Sequence, residues 1–271
     1  MESILAAYGG SSSEASDDAA SSSSEDEVEE CASTVELSVD GVASVGTKRK
    51  RSVEPQWKRA FPHVDGNWPS HVRIDIPVTE GLREMAKCAI DRAQELMGDI
   101  VTLVPFEELR LGESSSRHSD NGLHLSLSRP FVLTFDQIEG FVDSLRSALK
   151  WRQRFSVTLQ GALVLVNDDR TRSFLSLRVS EGEQQLKQVL RCVDQCLARF
   201  ELPTYYEDPI PHVSIASSMG EELAKLTPDQ CESLLTPRQG SQQVAKPSRL
   251  TAGITRVHVS IGNKHYDIPL R

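Results

Sequence analysis

No stretch of this 271-residue chain approaches the roughly 18 consecutive apolar residues that a membrane-spanning helix requires, and no basic segment leading into an apolar run stands at its start. The expectation is a soluble, intracellular protein with no membrane partner. Cysteine is sparse. The five present (Cys31, Cys88, Cys192, Cys196, Cys231) form no Cys-x-x-Cys pair, so they are expected as free thiols in a reducing compartment. Cys192 and Cys196 lie four apart on a predicted helix, where core packing accounts for them better than a metal does. Positive charge is missing from residues 1–40, which hold 11 Asp and Glu and no Lys or Arg. Such a Ser-rich acidic segment buries too little apolar surface to offset its ordering entropy, so residues 1–55 are expected to be a disordered tail.

That tail distorts the charge balance. The net charge is −9 for the whole chain, and taking away the −11 of residues 1–40 leaves +2. Removing the short run Lys48, Arg49, Lys50 and Arg51 as well brings residues 52–271 to −2. A near-neutral folded part gives no support in composition for broad, sequence-independent nucleic-acid binding, so any phosphate ligand must be held locally. The basic run itself, "TKRKRS" at 47–52, fits a nuclear import signal.

Hydropathy patterning over 56–271 predicts one α+β domain. "SHVRIDIPV" alternates as a strand, and Thr79 opens a helix with Leu82, Met85, Ala86, Ala89, Ile90, Ala93 and Met97 on one face. Thr134 and Gln137 are spaced as a capping box before a helix striped by Ile138, Phe141, Val142, Leu145 and Leu149. "SVTLQGALVLV" and "SFLSLRV" flank the polar turn "NDDRTR" as a hairpin, and a third helix is expected from about Glu181 to Phe200. A closing hairpin turns at Gly262 and Asn263, and "TPRQGSQQVAKPSR" at 236–249 has the composition of an exposed loop. Strand, helix, strand occurs twice, which points to two pseudo-symmetric lobes.

Three segments share one pattern: "HLSL" from His124, "HVSI" from His212 and "HVSI" from His258. With 7 histidines in the chain, only about 0.1 tetrads of the form His, apolar, Ser or Thr, apolar are expected by chance. Side chains at i and i+2 of a strand share a face, so His124 with Ser126, and His212 with Ser214, each look into one space while the intervening apolar residues pack behind. Two imidazoles and two hydroxyls around one cavity suit metal-free phosphodiester chemistry. A neutral imidazole takes a proton from a ribose 2′-OH, a protonated one gives a proton to the departing 5′-oxygen, and the hydroxyls donate to the non-bridging oxygens. Such a reaction leaves a 2′,3′-cyclic phosphate and has a bell-shaped pH dependence. His258 has no role in a two-histidine mechanism and is expected to be structural.

These tetrads, together with "FPHVDGNWPSHV", "TRSFLSLRV", "YYEDPIPHVSIA" and "GNKHYDIPL" in that order, resemble the two-histidine (2H) phosphoesterases and, within them, the eukaryotic U6 snRNA phosphodiesterase family. The resemblance covers most of residues 60–271. It implies two lobes of antiparallel sheet with flanking helices and a central cleft, and a 3′ to 5′ exoribonuclease that trims the uridine tail of U6 snRNA in the nucleus without metal or other cofactor. It further implies His124 and His212 as the acid and base, Ser126 and Ser214 as phosphate binders, Tyr206 as the ring stacked on a terminal base, and a monomer with an RNA 3′ end as partner. The tetrads by themselves leave open a phosphodiesterase acting on a 2′,5′- or cyclic-nucleotide substrate, and a non-catalytic nucleotide-binding domain.

Overall fold

The computed structural model describes residues 64–106, 109, 123–236 and 248–271. The expectations for the acidic tail, the basic run at 47–52, Cys31 and most of the 236–249 loop lie outside these residues.

Ten strands form two five-stranded antiparallel sheets. The first holds β1 (Asn67–Asp75), β3 (His124–Ser126), β4 (Phe131–Thr134), β9 (Arg256–Ile261) and β10 (Lys264–Pro269) in the order β10-β9-β1-β3, with β4 also paired to β1. The second holds β2 (Val104–Pro105), β5 (Phe155–Val166), β6 (Arg172–Glu181), β7 (His212–Met219) and β8 (Arg249–Ile254) in the order β2-β7-β6-β5-β8. The expected repeat is present: β1 and α1 (Glu80–Met97) precede β3, which pairs antiparallel with β1, and β6 and α3 (Glu183–Arg199) precede β7, which pairs antiparallel with β6.

The helices follow their apolar stripes. Thr79 caps α1, its side chain accepting from the Leu82 N–H at 3.3 Å, and the seven stripe residues named above are all buried. In α2 (Gln137–Leu149) the stripe is buried as expected, but only half of the capping box forms. Gln137 reaches back to the Thr134 N–H at 3.0 Å, whereas Phe135 and Asp136 form a turn, so the helix begins too late for the Thr134 hydroxyl to serve it. A complete box does occur at the short α4 (Pro228–Ser233), between Thr227 and Gln230.

The core is one continuous apolar cluster lined by Val72, Ile74, Leu125, Leu177, Val213 and Ile215 from the sheets and by Phe141, Leu145, Val193 and Leu197 from α2 and α3. Cys88, Cys192, Cys196 and Cys231 are buried free thiols, as expected, and the last three lie within the cluster. The β9–β10 turn needs its glycine. Gly262 has φ +55°, and a Cβ there would come within 2.5 Å of the Trp68 ring. Among the described residues, no helix is long and apolar enough to cross a membrane.

Candidate active site

Strand alternation decides what faces the cleft. In β1, Val72 and Ile74 point into the core, so His71, Arg73 and Asp75 share the other face. β3 pairs with β1 in the register Asp75↔His124, Ile74↔Leu125 and Arg73↔Ser126, with Leu125 buried behind the two polar residues. In the second sheet Val213 and Ile215 are fully buried and His212 and Ser214 turn outward, opposite Arg178 and Ser176 of β6. β3 and β7 are neighbours where the two sheets meet, and the charge of His124 is one cause of a lowered pKa at His212.

The environment of His212 fixes its tautomer. Nδ1 lies 2.7 Å from the Ile210 carbonyl, which can only accept, so Nδ1 carries the hydrogen and Nε2 keeps its lone pair. Burial holds the pKa of His212 below the ordinary histidine value, the charge of His124 pushes the same way, and the bond to Ile210 partly opposes both. Ser214 Oγ lies 3.0 Å from Ser176 Oγ, and Ser176 is wholly buried. If Ser214 donates outward to a ligand, its oxygen must accept from Ser176.

His71 was not singled out by the sequence, although "SHVRID" alternates in the same way as the tetrads. Its ring centroid is 5.4 Å from that of His124, edge-on at 74°. Burial, then the charges of His124 and Arg73, lower its pKa to about 3 against a hydrogen bond to the Ser128 backbone, so this third imidazole is neutral at any physiological pH.

His258, the third copy, lies on the same face two strands from His124 and joins a buried polar network through Nδ1. It is 2% exposed, its Nδ1 is 2.8 Å from Asp267 and 3.8 Å from Asp75, and its ring stacks on His265 at 5.5 Å. Arg73 completes the network, bound to Asp75 at 2.8 Å and to Ser260 at 2.9 Å. Its Nε2 is buried with no hydrogen-bond partner among the described residues.

Tyr206 sits in the connection between α3 and β7. Its hydroxyl donates to Asp168 of the β5–β6 turn at 3.3 Å, and the Arg129 guanidinium lies 5.1 Å above its ring while pairing with Asp168 at 2.8 Å. Burial and the Asp168 charge raise its pKa, keeping the phenol protonated. Arg129 comes from the β3–β4 connection of the first sheet, so the trio links the two lobes. One face of the Tyr206 ring is covered by Arg129, and a stacked base would use the other face or displace the guanidinium. Among the described residues, no group of three or more His, Cys, Asp or Glu is placed to hold a metal ion.

Two antiparallel lobes, each presenting a His-x-Ser strand at their junction, constitute the two-histidine phosphoesterase fold. The structure of Usb1 from Kluyveromyces marxianus has the same fold, with a TM-score of 0.53 at 17% identity over 74% of this chain and 98% of that one, and Usb1 has also been solved with uridine monophosphate. The HVSL family model, described as an uncharacterised conserved protein, matches residues 29–269. U6 snRNA phosphodiesterase 1 of Rattus norvegicus is 30% identical over 218 residues, covering 79% of this chain and 73% of that protein. The same-named protein of Xenopus laevis is 30% identical over 213 residues, covering 78% and 77%, and that of Homo sapiens is 27% identical over 213 residues. The chain belongs to the HVSL family and to the family of the U6 snRNA phosphodiesterases.

Proposed function

We propose that this protein is a 3′ to 5′ exoribonuclease that trims the uridine tail of U6 snRNA and leaves a 2′,3′-cyclic phosphate. The observation that carries the reading is the meeting of β3 and β7, one from each lobe, which sets the strand of His124 and Ser126 beside the strand of His212 and Ser214. Membership of the U6 snRNA phosphodiesterase family supplies the substrate class, and the uridine monophosphate bound to Usb1 agrees with a uridine-ended RNA.

The roles follow from the site. His212 is the base: it is neutral because burial depresses its pKa, and Nε2 keeps a free lone pair because Nδ1 is committed to Ile210. It takes the 2′-OH proton, the 2′-oxygen attacks phosphorus, and the departing 5′-oxygen receives a proton from His124. Ser126 and Ser214 donate to the non-bridging oxygens where negative charge grows, and Tyr206 stacks on the terminal base. Acid and base are both side chains, so the reaction proceeds without a metal. The protein acts as a monomer in the nucleus, where the run at 47–52 directs it. The test is digestion of an oligouridine-ended RNA in EDTA with mass spectrometry of the shortened end. A cyclic phosphate formed at full rate is expected. Loss of activity on chelation, or an end with no cyclic phosphate, overturns the mechanism.

A further inference from the structure

Away from the junction, the turn between α2 and β5 gathers a group of cations, and among the described residues only Arg146 of that turn has a carboxylate partner. Residues 145–155, "LRSALKWRQRF", contain Arg146, Lys150, Arg152 and Arg154 and no Asp or Glu, in a chain whose residues 52–271 sum to −2. Arg271 joins them from the far end of the sequence through two backbone hydrogen bonds: its N–H donates to Arg152 at 2.8 Å and its carbonyl accepts from the Arg154 N–H at 2.9 Å. Trp151 stands in the middle, 65% exposed, with Lys150 Nζ 5.3 Å and the Arg271 guanidinium 5.0 Å from its ring centroid. Arg146 is paired with Asp143, and Arg73, Arg129 and Arg256 likewise have carboxylate partners. Among the described residues, Lys150, Arg152, Arg154 and Arg271 form no ion pair with any carboxylate.

The sheet register relates this patch to the site. Leu270 is buried in the core, so alternation puts Arg271 on the side of the first sheet that carries Asp267 and, three strands away, His124. Arg256, opposite Pro269, lies between them on the same side. At ordinary strand spacing the separation from His124 to Arg271 is on the order of 15 Å, a span of a few nucleotides of extended single strand.

We propose that Lys150, Trp151, Arg152, Arg154 and Arg271 form a second contact for the substrate, holding single-stranded RNA a few nucleotides upstream of the reacting phosphate. The inference rests on the RNA-trimming reading above. Unpaired cations meet phosphates, and the exposed indole offers a ring on which a base stacks when one of its two covering cations turns to the backbone. The contact is sequence-tolerant, as it must be if the chain is to move through the site as residues are removed.

The experiment measures kcat and KM over a length series of oligouridines for the wild type, Trp151→Ala, and a triple Lys150→Glu, Arg154→Glu, Arg271→Glu variant. Thermal melting checks that each variant is folded. For substrates of about ten nucleotides, Trp151→Ala is expected to raise KM about tenfold, and the triple variant is expected to flatten the salt dependence of log(kcat/KM) by about two units of slope. On a dinucleotide, too short to reach the patch, both variants are expected to match the wild type. Equal kinetics on long substrates, or equal impairment on long and short ones, overturns the inference while leaving the trimming activity standing. A wild type that cleaves no RNA of any length overturns the underlying reading instead.

Discussion

Replacing His71 with phenylalanine, which keeps a planar ring but no titratable nitrogen, isolates the cost of protonating an imidazole that is buried and lies beside His124 and Arg73. In the folded protein the pKa of His71 is about 3, against 6.5 for a free histidine. Below pH 6.5 the unfolded chain therefore takes up a proton that the folded chain refuses, so the contribution of His71 to stability is intact above that pH and declines as pH falls toward 3. Between pH 7 and pH 5 the linkage relation gives a loss of about 2 kcal/mol. Urea unfolding at the two pH values measures it, as a midpoint shift on the order of 1 M for a typical slope. The phenylalanine variant, whatever its absolute stability, should lack this component and show a shallower dependence on pH. His124→Ala, which removes one of the repelling charges, should keep part of it. If wild type and His71→Phe lose the same stability between pH 7 and pH 5, His71 is not held neutral by its surroundings, and this account of the cleft is wrong.

His124→Ala and His212→Ala should each lower kcat by at least about a hundredfold, while His258→Ala should chiefly lower the melting temperature; equal kinetic losses at 212 and 258 would contradict the roles assigned here. Because burial and His124 depress the pKa of His212, the acidic limb of the kcat/KM profile should fall below pH 6.5, and a limb at or above 6.5 would exclude His212 as the base. Ser176→Ala should weaken phosphate stabilisation by Ser214 and lower kcat severalfold at unchanged dinucleotide KM, with Ser176→Thr restoring most of the loss, and full activity in the alanine variant would show that Ser214 needs no such partner. Gly262→Ala should destabilise the fold by about 1 kcal/mol or more in denaturant titrations, since φ is positive and Trp68 occupies the space, and wild-type stability would show that the turn relaxes freely.

The elements that were legible in the sequence are those whose period the core enforces. The stripes of α1, α2 and α3 and the alternation of β1, β7 and β9 are read directly because each buries one face, and the same alternation put His124 with Ser126 and His212 with Ser214 on shared surfaces. β2, at 2 residues, is too short for a period to show. The half-formed capping box at Thr134 shows that spacing alone does not say where a helix begins. The place of His71 beside His124 depends on β1 pairing with β3, and the contacts of His258 depend on Asp267 and Asp75 arriving from neighbouring strands. The Trp151 patch is built from residues 150–154 and residue 271, and no local reading of the chain joins them.

The lobe that carries His124 is closed by β9 and β10, which follow every strand of the other lobe in the sequence. During synthesis its tetrad therefore emerges from the ribosome long before its sheet is complete. Until β9 arrives, one edge of β1 has no hydrogen-bonding neighbour, and Arg73 and Asp75 lack the Ser260 and His258 that will hold them. The half carrying His212 finishes earlier, with β8. A late frameshift or stop codon thus removes the first half of the site rather than the last, leaving a chain with both histidines encoded and only one of them in place.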